Sequence, residues 1–205
     1  MTIGKGDGNE DDNDDDMSLM GAVADDMEAE YIRSVCDKEI FQQGNMLALI
    51  FPIIVDVCSN PAKYTDKALR ASACFALSNC MMVSSDICEN NLQLLFTILE
   101  KSEDPIVRGN TIIALGDLSF RFPNLVEPWT PRLYARLTDS SCSVRLNAMT
   151  VLTHLILNDM VKVKGQISDI ALCITDEEHR ISGMAKLFFT ELIQSPLRAS
   201  KLLKS

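Results

Sequence analysis

The pattern that decides the fold occurs in IVRGNTIIALGDL (Ile106–Leu118) and again in SVRLNAMTVLTHL (Ser143–Leu155). Each stretch has an arginine after a valine, an asparagine two positions after the arginine, and leucines seven and ten positions after it. Offsets of seven and ten residues return to one face of a helix that has 3.6 residues per turn. The two stretches therefore predict amphipathic helices that bury the same face.

The pattern occurs four times, because ALRASACFALSNC precedes these stretches and RISGMAKLFFTEL follows them. The residue that fixes the register is in turn Arg70, Arg108, Arg145 and Ser182, at separations of 38, 37 and 37 residues. Between successive copies lies a second apolar helix. A helix–turn–helix unit of this length suits HEAT or armadillo-like repeats and is too long for ankyrin or tetratricopeptide repeats. The sequence predicts an all-α fold, an α-solenoid of HEAT/armadillo-like helical repeats.

Helix boundaries follow from the apolar patterns and from capping signals. Asp104 and Pro105 place a capping acid beside a proline suited to a first helical turn, and Asp139 and Asp176 can cap the next two repeat helices. The predicted helices cover residues 46–58, 66–84, 90–101, 105–121, 125–138, 142–157, 164–175 and 179–194. The last of these has no second helix to cover its apolar side chains, so we expect the chain to be a piece of a longer array.

The acidic charge is concentrated at the N-terminus. The chain has 205 residues and a formal net charge of −10, and residues 1–30 hold eleven acids against one base. The remainder is balanced, with 18 bases and 18 acids. A segment dense in like charge and poor in apolar residues is expected to be disordered. We therefore predict a disordered acidic N-terminal tail at 1–27, a HEAT-repeat array at 28–194 and a basic C-terminal tail at 195–205.

The sequence lacks the motifs of common catalytic sites. It contains no GxSxG, no P-loop, no GxGxxG and no HExxH. The seven cysteines form no CxxC pair and most stand in apolar runs, which favours free thiols in a reducing compartment. No apolar run reaches membrane-spanning length. We predict no enzymatic activity, no cofactor, no metal site, no membrane partner and no small-molecule substrate.

Several polar and aromatic residues have plausible structural roles. His154 is predicted to pack between helices, and Asn79, Asp117 and His154, which fill nearly equivalent positions, are predicted to bond neighbouring turns. Trp129, the single tryptophan, stands among three prolines and is predicted to fill a junction between two helices. Cys74 and the other cysteines need no chemical role.

A basic strip is predicted within residues 105–164, which carry seven bases and four acids. Arg108 and Arg145 hold the repeat register and are predicted to bond acids across successive repeats. The five remaining bases, which we call the basic edge, are Lys162, Lys164, Arg121, Arg132 and Arg136. Equivalent turns of a solenoid line up, and Arg132 and Arg136 are four apart and so share one helix face. The basic edge suits phosphate or an acidic partner, although a merely solvated edge fits the pattern equally.

Three phrases carry a resemblance to a known family: GDLSFRFPNLVEPWTP (Gly116–Pro131), LTHLILNDMVKVKGQ (Leu152–Gln166) and MSLMGAVADDMEAEYIRSVCDKEI (Met17–Ile40). They resemble the condensin complex subunit 1 family, the D2-type non-SMC HEAT-repeat subunits of condensin. The likeness covers approximately residues 17–193. It favours the condensin I subunit over its condensin II relative.

The resemblance implies a non-enzymatic regulatory or scaffold subunit that acts in mitotic chromosome condensation. The implied partners are the kleisin subunit and the SMC ATPase subunits of condensin, together with double-stranded DNA or chromatin. The implied location is the nucleus and chromosomes, with a cytoplasmic pool. DNA contact is expected first at Lys162 and Lys164, then at Arg121, Arg132 and Arg136. The alternative is a HEAT-repeat protein-binding adaptor without DNA contact, and an enzyme ranks below both.

Overall fold

The computed structural model of the chain describes residues 25–36, 38–161 and 166–194. Regular structure in these residues is helical throughout, and no strand occurs among them. The chain divides into two units, residues 1–48 and 49–205. In the first unit, residues 25–36 form helix α1, so this helix begins inside the last three residues of the predicted tail. The other residues of the two predicted tails lie outside the described part.

The second unit contains the repeats. After α2 (Met46–Ser59), its longer helices are α3 (Lys67–Val83), α4 (Ser85–Lys101), α5 (Pro105–Arg121), α8 (Cys142–Leu157) and α10 (His179–Gln194). Shorter segments are α6 (Pro123–Val126), α7 (Thr130–Tyr134) and α9 (Ile167–Leu172), with 3-10 turns at Glu127–Trp129, Ala135–Thr138 and Cys173–Thr175. Helices α3, α5, α8 and α10 pack side by side in chain order, and the remaining segments connect and cover them. This arrangement confirms the predicted repeat fold.

Two predicted helices differ from those in the structure. Helix α4 begins at Ser85, five residues before the predicted start, because α3 ends at Val83 and only Ser84 separates the two helices. The helix predicted at 125–138 is instead a series of α6, a 3-10 turn, α7 and a second 3-10 turn. Pro128 and Pro131 lack an N–H group and cannot continue a regular hydrogen-bond ladder, which accounts for the interruptions.

The predicted leucine columns form the centre of the second unit. Leu77, Leu115 and Leu152, seven positions after the register arginines, have no solvent exposure. In α10 the equivalent residue is Phe189, which is only half-buried, whereas its neighbour Phe188 is buried. The change is local to this turn, because Leu192 of α10 is buried as the equivalent Leu118 of α5 is.

Glycines allow α5 and α8 to pack closely. A β-carbon at Gly109 would lie 2.9 Å from Nδ2 of Asn147, and one at Gly116 would lie 2.8 Å from a methyl carbon of Val151. Contacts of that length are too short for a side chain to be added without movement. The two glycines are seven residues apart, so they lie on one face of α5 and permit close backbone approach along two helical turns.

Replacing Leu115 with alanine should lower the free energy of unfolding by about 2–5 kcal/mol, because it leaves a cavity in the core. The matched control is Ile106→Ala on the same helix, where the side chain is 65% exposed and the expected loss is under about 1 kcal/mol. Chemical denaturation of the two variants measures the difference. Equal losses would contradict the predicted buried face of α5.

Candidate functional site

Two arginines, the buried Arg108 and the half-buried Arg145, connect successive repeats. Arg108 of α5 donates to both carboxylate oxygens of Asp139, from Nη2 at 2.7 Å and from Nε at 3.0 Å. Its Nη1 donates to the carbonyl oxygens of Ser102 at 2.9 Å and Glu103 at 3.1 Å. A guanidinium that makes a two-pronged contact with a carboxylate gains orientation as well as energy. Arg108 thus fixes the turn before α5 to the turn before α8.

The next repeat repeats this geometry. Nε and Nη2 of Arg145 donate to the two carboxylate oxygens of Asp176 at 2.8 Å and 3.0 Å. Nη1 of Arg145 donates to the carbonyl oxygen of Asp139 at 3.1 Å. In both repeats the acid follows its arginine by 31 residues. We call the Arg108–Asp139 and Arg145–Asp176 pairs the arginine ladder, and they confirm that the register arginines bond acids across repeats.

The arginine ladder changes the acidity of its carboxylates. Burial would raise the pKa of Asp139, but hydrogen bonds from Arg108 and the Ser141 N–H, with the charges of Arg108 and Arg136, lower it overall. The hydrogen bond from Arg145 lowers the pKa of Asp176 and outweighs the opposing effect of burial. A lowered folded-state pKa means that the carboxylate stabilises the fold above its unfolded pKa and that this contribution disappears as pH falls through the folded pKa.

Replacing Asp139 with asparagine should lower the free energy of unfolding by about 3 kcal/mol at pH 7, because Arg108 would remain buried without a counter-charge. The difference from the wild type should narrow below pH ~3.9, the usual aspartate pKa, because the unfolded wild-type chain then takes up a proton that the folded chain binds only at lower pH. Denaturant titrations between pH 7 and pH 3 measure both effects.

Glu100→Gln provides the control for the ladder variant. Glu100 pairs with Arg132 at 3.4 Å, and both side chains are well exposed. An exposed ion pair contributes at most about 1 kcal/mol. A loss of stability in this control equal to that of the Asp139 variant, or a difference that stays constant with pH, would contradict the special role of the ladder.

The structure gives Arg132 and Arg136 of the basic edge partners within the chain. The guanidinium of Arg132 lies 4.7 Å from the centre of the Trp129 ring, in addition to its contact with Glu100. Nη1 of Arg136 lies 3.8 Å from the Asp139 carboxylate. The α7 helix ends at Tyr134 and a 3-10 turn follows, so the two arginines belong to different helical segments, and their common face stays a prediction.

The other three members of the basic edge are Arg121, Lys162 and Lys164. Arg121 is the last residue of α5, half-buried, with its guanidinium 5.2 Å from the centre of the Phe122 ring. Among the described residues it has no ion pair. Lys162 and Lys164 lie outside the described residues. The basic edge therefore remains a prediction, with Arg121 as its one described member that lacks an acidic neighbour.

The other expected polar roles have mixed outcomes. The ring of Trp129 stacks on Phe96 at 5.0 Å between centres, which confirms that it fills a junction between helices. His154, Asn79 and Asp117 are exposed, and among the described residues neither Asn79 nor Asp117 bonds a neighbouring turn. His154 contacts Asn158 of its own chain segment at 3.3 Å. Their side chains point outward because the leucines of the same helices occupy the inward face.

The described residues include all seven cysteines and both histidines. No cluster of three or more His, Cys, Asp or Glu side chains there could hold a metal ion. No described helix has the length and apolar character needed to cross a membrane. All seven cysteines are free, and burial raises the pKa of Cys88 to about 11, which disfavours a reactive thiolate.

Sequence reasoning missed one exposed apolar surface. On α3 and α5, the side chains of Phe75, Ile113 and Phe120 are exposed. A shallow cavity near Phe120 is lined by residues of α3, α5 and α8, including His154. The four-fold alignment contained a signal for this surface, because Phe75 and Ile113 both stand five positions after a register arginine.

Together, the stacked helix pairs and the arginine ladder define the class of protein, an α-solenoid of HEAT/armadillo-like repeats. A solved designed armadillo repeat protein in complex with the peptide (KR)4 has a similar fold, with a TM-score of 0.50 and 15% sequence identity over 75% of this chain and 69% of that chain. The family model for non-SMC mitotic condensation complex subunit 1 matches residues 106–204. This part of the chain therefore matches the condensin subunit 1 family.

Curated relatives extend the similarity beyond those residues. Condensin complex subunit 1 of Xenopus laevis is 53% identical over 184 residues, which cover 90% of this chain and 14% of the relative. The Homo sapiens protein of the same name is 51% identical over 178 residues, covering 87% of this chain and 13% of the relative. The chain thus spans about one seventh of the length of these relatives. The predicted family resemblance is confirmed.

Proposed function

We propose that the chain acts as part of a non-enzymatic regulatory scaffold subunit of condensin in mitotic chromosome condensation. The observation that supports this proposal is the 53% identity to the Xenopus laevis subunit over 90% of the chain. The architecture suits a scaffold, because stacked repeats present extended surfaces and need no catalytic pocket. On this proposal the chain works in the nucleus and on chromosomes, with a cytoplasmic pool.

The proposed protein partners are the kleisin subunit and, through the complex, the SMC ATPase subunits of condensin. If this segment contributes to assembly, the purified chain should be retained by an immobilised kleisin subunit. A designed armadillo repeat protein provides a control for the fold without the family sequence. Equal retention of the two proteins, or none of either, would contradict a kleisin contact in this segment.

The proposed nucleic-acid partner is double-stranded DNA, bound through the basic edge. Lys162 and Lys164 are the first candidates, because Arg132 and Arg136 already have acidic neighbours at 3.4 Å and 3.8 Å. Arg121 comes next, since it has no ion pair among the described residues. Contacts of this kind neutralise phosphates irrespective of base sequence and weaken steeply as salt is added.

Replacing Lys162 and Lys164 together with glutamate should weaken binding to duplex DNA. If each lysine neutralises one phosphate, the slope of log affinity against log salt should fall by about 2. Fluorescence anisotropy with a labelled duplex, measured over a series of salt concentrations, gives the affinity and the slope. The matched control replaces Lys38 and Lys186, which are exposed and lie outside the basic edge. Identical affinity and slope for parent and variant would refute DNA binding through these lysines.

A second candidate function is a protein-binding adaptor without DNA contact. The observation that favours it is that Arg132 pairs with Glu100 and Arg136 with Asp139. These contacts leave fewer basic side chains free to bind phosphate. The salt series distinguishes the two functions. An adaptor of this kind would show no salt-dependent affinity for duplex DNA and would still be retained by its protein partner.

A further inference from the structure

The arginine ladder is incomplete at its first position. The acid of each ladder pair stands six residues before the next register residue, as Asp139 does before Arg145 and Asp176 before Ser182. Six residues before Arg108 stands Ser102. The register arginine of that repeat is Arg70, so the position that should hold its carboxylate partner holds a serine instead.

Arg70 and Ser102 both lack the contacts that their counterparts make. Arg70 is half-buried, and among the described residues it has no ion pair and no side-chain hydrogen bond. Ser102 is 8% exposed, and its Oγ is a buried atom without a hydrogen-bond partner. A buried hydroxyl without a partner is unusual in folded proteins. The main-chain groups of Ser102 do have hydrogen-bond partners, because its N–H donates to the carbonyl of Ile98 and its carbonyl accepts from Arg108.

The two residues line one cavity. Arg70 and Ser102 share a space of about 240 Å³ with Lys101 and with apolar side chains of α2, α3, α4 and α5. These include Val57, Leu94 and Ile98. The cavity therefore combines an unpaired guanidinium, an unsatisfied hydroxyl and an apolar wall, which is the usual composition of a site that holds one charged group within an apolar segment.

The acids nearest this cavity do not satisfy Arg70. Glu103 and Asp104 line an adjoining space together with Lys67 and Arg70. The carboxylate of Asp104 accepts from the N–H of Ile106 at the start of α5. Asp66 has the same capping role at the start of α3, where its carboxylate accepts from the N–H of Leu69. Within the part of the chain that the structure describes, no acid comes within ion-pair distance of Arg70. The nearby carboxylates of Glu103 and Asp104 nevertheless disfavour a ligand of higher negative charge.

We propose that Arg70 and Ser102 form a docking site for a carboxylate of a partner polypeptide, an aspartate or glutamate flanked by apolar residues. The incoming carboxylate takes the place that Asp139 and Asp176 occupy beside Arg108 and Arg145. Ser102 donates its hydroxyl to that carboxylate, and the apolar neighbours enter the cavity wall. A single negative charge suits the site better than a phosphate dianion, because Glu103 and Asp104 lie nearby.

Titration calorimetry with the full chain tests the proposal directly. The probe is the acetylated and amidated peptide Gly-Ser-Leu-Val-Asp-Val-Leu-Ser-Gly, whose one carboxylate belongs to its aspartate, and the control peptide carries asparagine at that position. We expect the aspartate peptide to bind about tenfold more tightly, since a paired charge-assisted hydrogen bond is among the strong kinds. The Arg70→Gln variant should bind both peptides alike. Equal affinity of the two peptides for the wild type would overturn the proposal.

A second variant restores the ladder from within. Ser102→Asp supplies the missing carboxylate, so it should abolish the preference for the aspartate peptide and raise Tm by about 2–4 °C. Retention of the preference in this variant would overturn the proposal, as would stronger competition by inorganic phosphate than by acetate. The site does not depend on DNA contact by the basic edge, so failure of the lysine experiment leaves this test unaffected.

Discussion

The second unit depends on the charge pairs that join the α5 repeat to the α8 repeat and the α8 repeat to the α10 repeat. Apolar packing between helices is strong but not directional, so leucines alone would tolerate small shifts of one repeat along another. The fork of Arg108 meets both oxygens of Asp139, and Arg145 meets Asp176 in the same way. Since a stacked repeat contacts only its neighbours, these pairs fix the register of the α5, α8 and α10 repeats.

Because the arginine–carboxylate pair recurs along the array, the repeat that lacks it is informative. Arg70 keeps the arginine of the pattern, whereas Ser102 replaces the acid. In Arg108 and Arg145 the surrounding carbonyls and carboxylate satisfy the guanidinium, and the ladder then serves stability alone. Without its acid, the same arrangement has an unused charge beside an apolar cavity. The arginine that elsewhere joins two repeats can in this way bind a carboxylate of another chain.

The sequence predicts the repeat length, the helix pairs and the leucine columns because each depends on local periodicity, which is preserved in Leu77, Leu115 and Leu152. It also predicts that Arg108 and Arg145 find acids, since the two share a register. It does not predict that Arg132 pairs with Glu100, because that contact depends on how the proline-interrupted α7 segment turns toward α4. The exposure of His154 likewise depends on helix rotation, which a spacing pattern determines only to within about one residue.

The direction of the repeat helices accounts for the positions of the arginine ladder and of Arg121 at opposite helix ends. Helices α5 and α8 run the same way, since their N-terminal ends meet through Arg108 and Asp139, and their C-terminal halves meet where Phe120 and Leu155 line one cavity. The N-terminal end of a helix favours negative groups, and the C-terminal end favours cations. Carboxylates therefore collect at the ladder end, where Arg70 lacks one, whereas Arg121 stands at the opposite end. Phosphate at that opposite end would meet unfavourable helix termini, so the proposed DNA contact relies on the positive charge of Lys162 and Lys164.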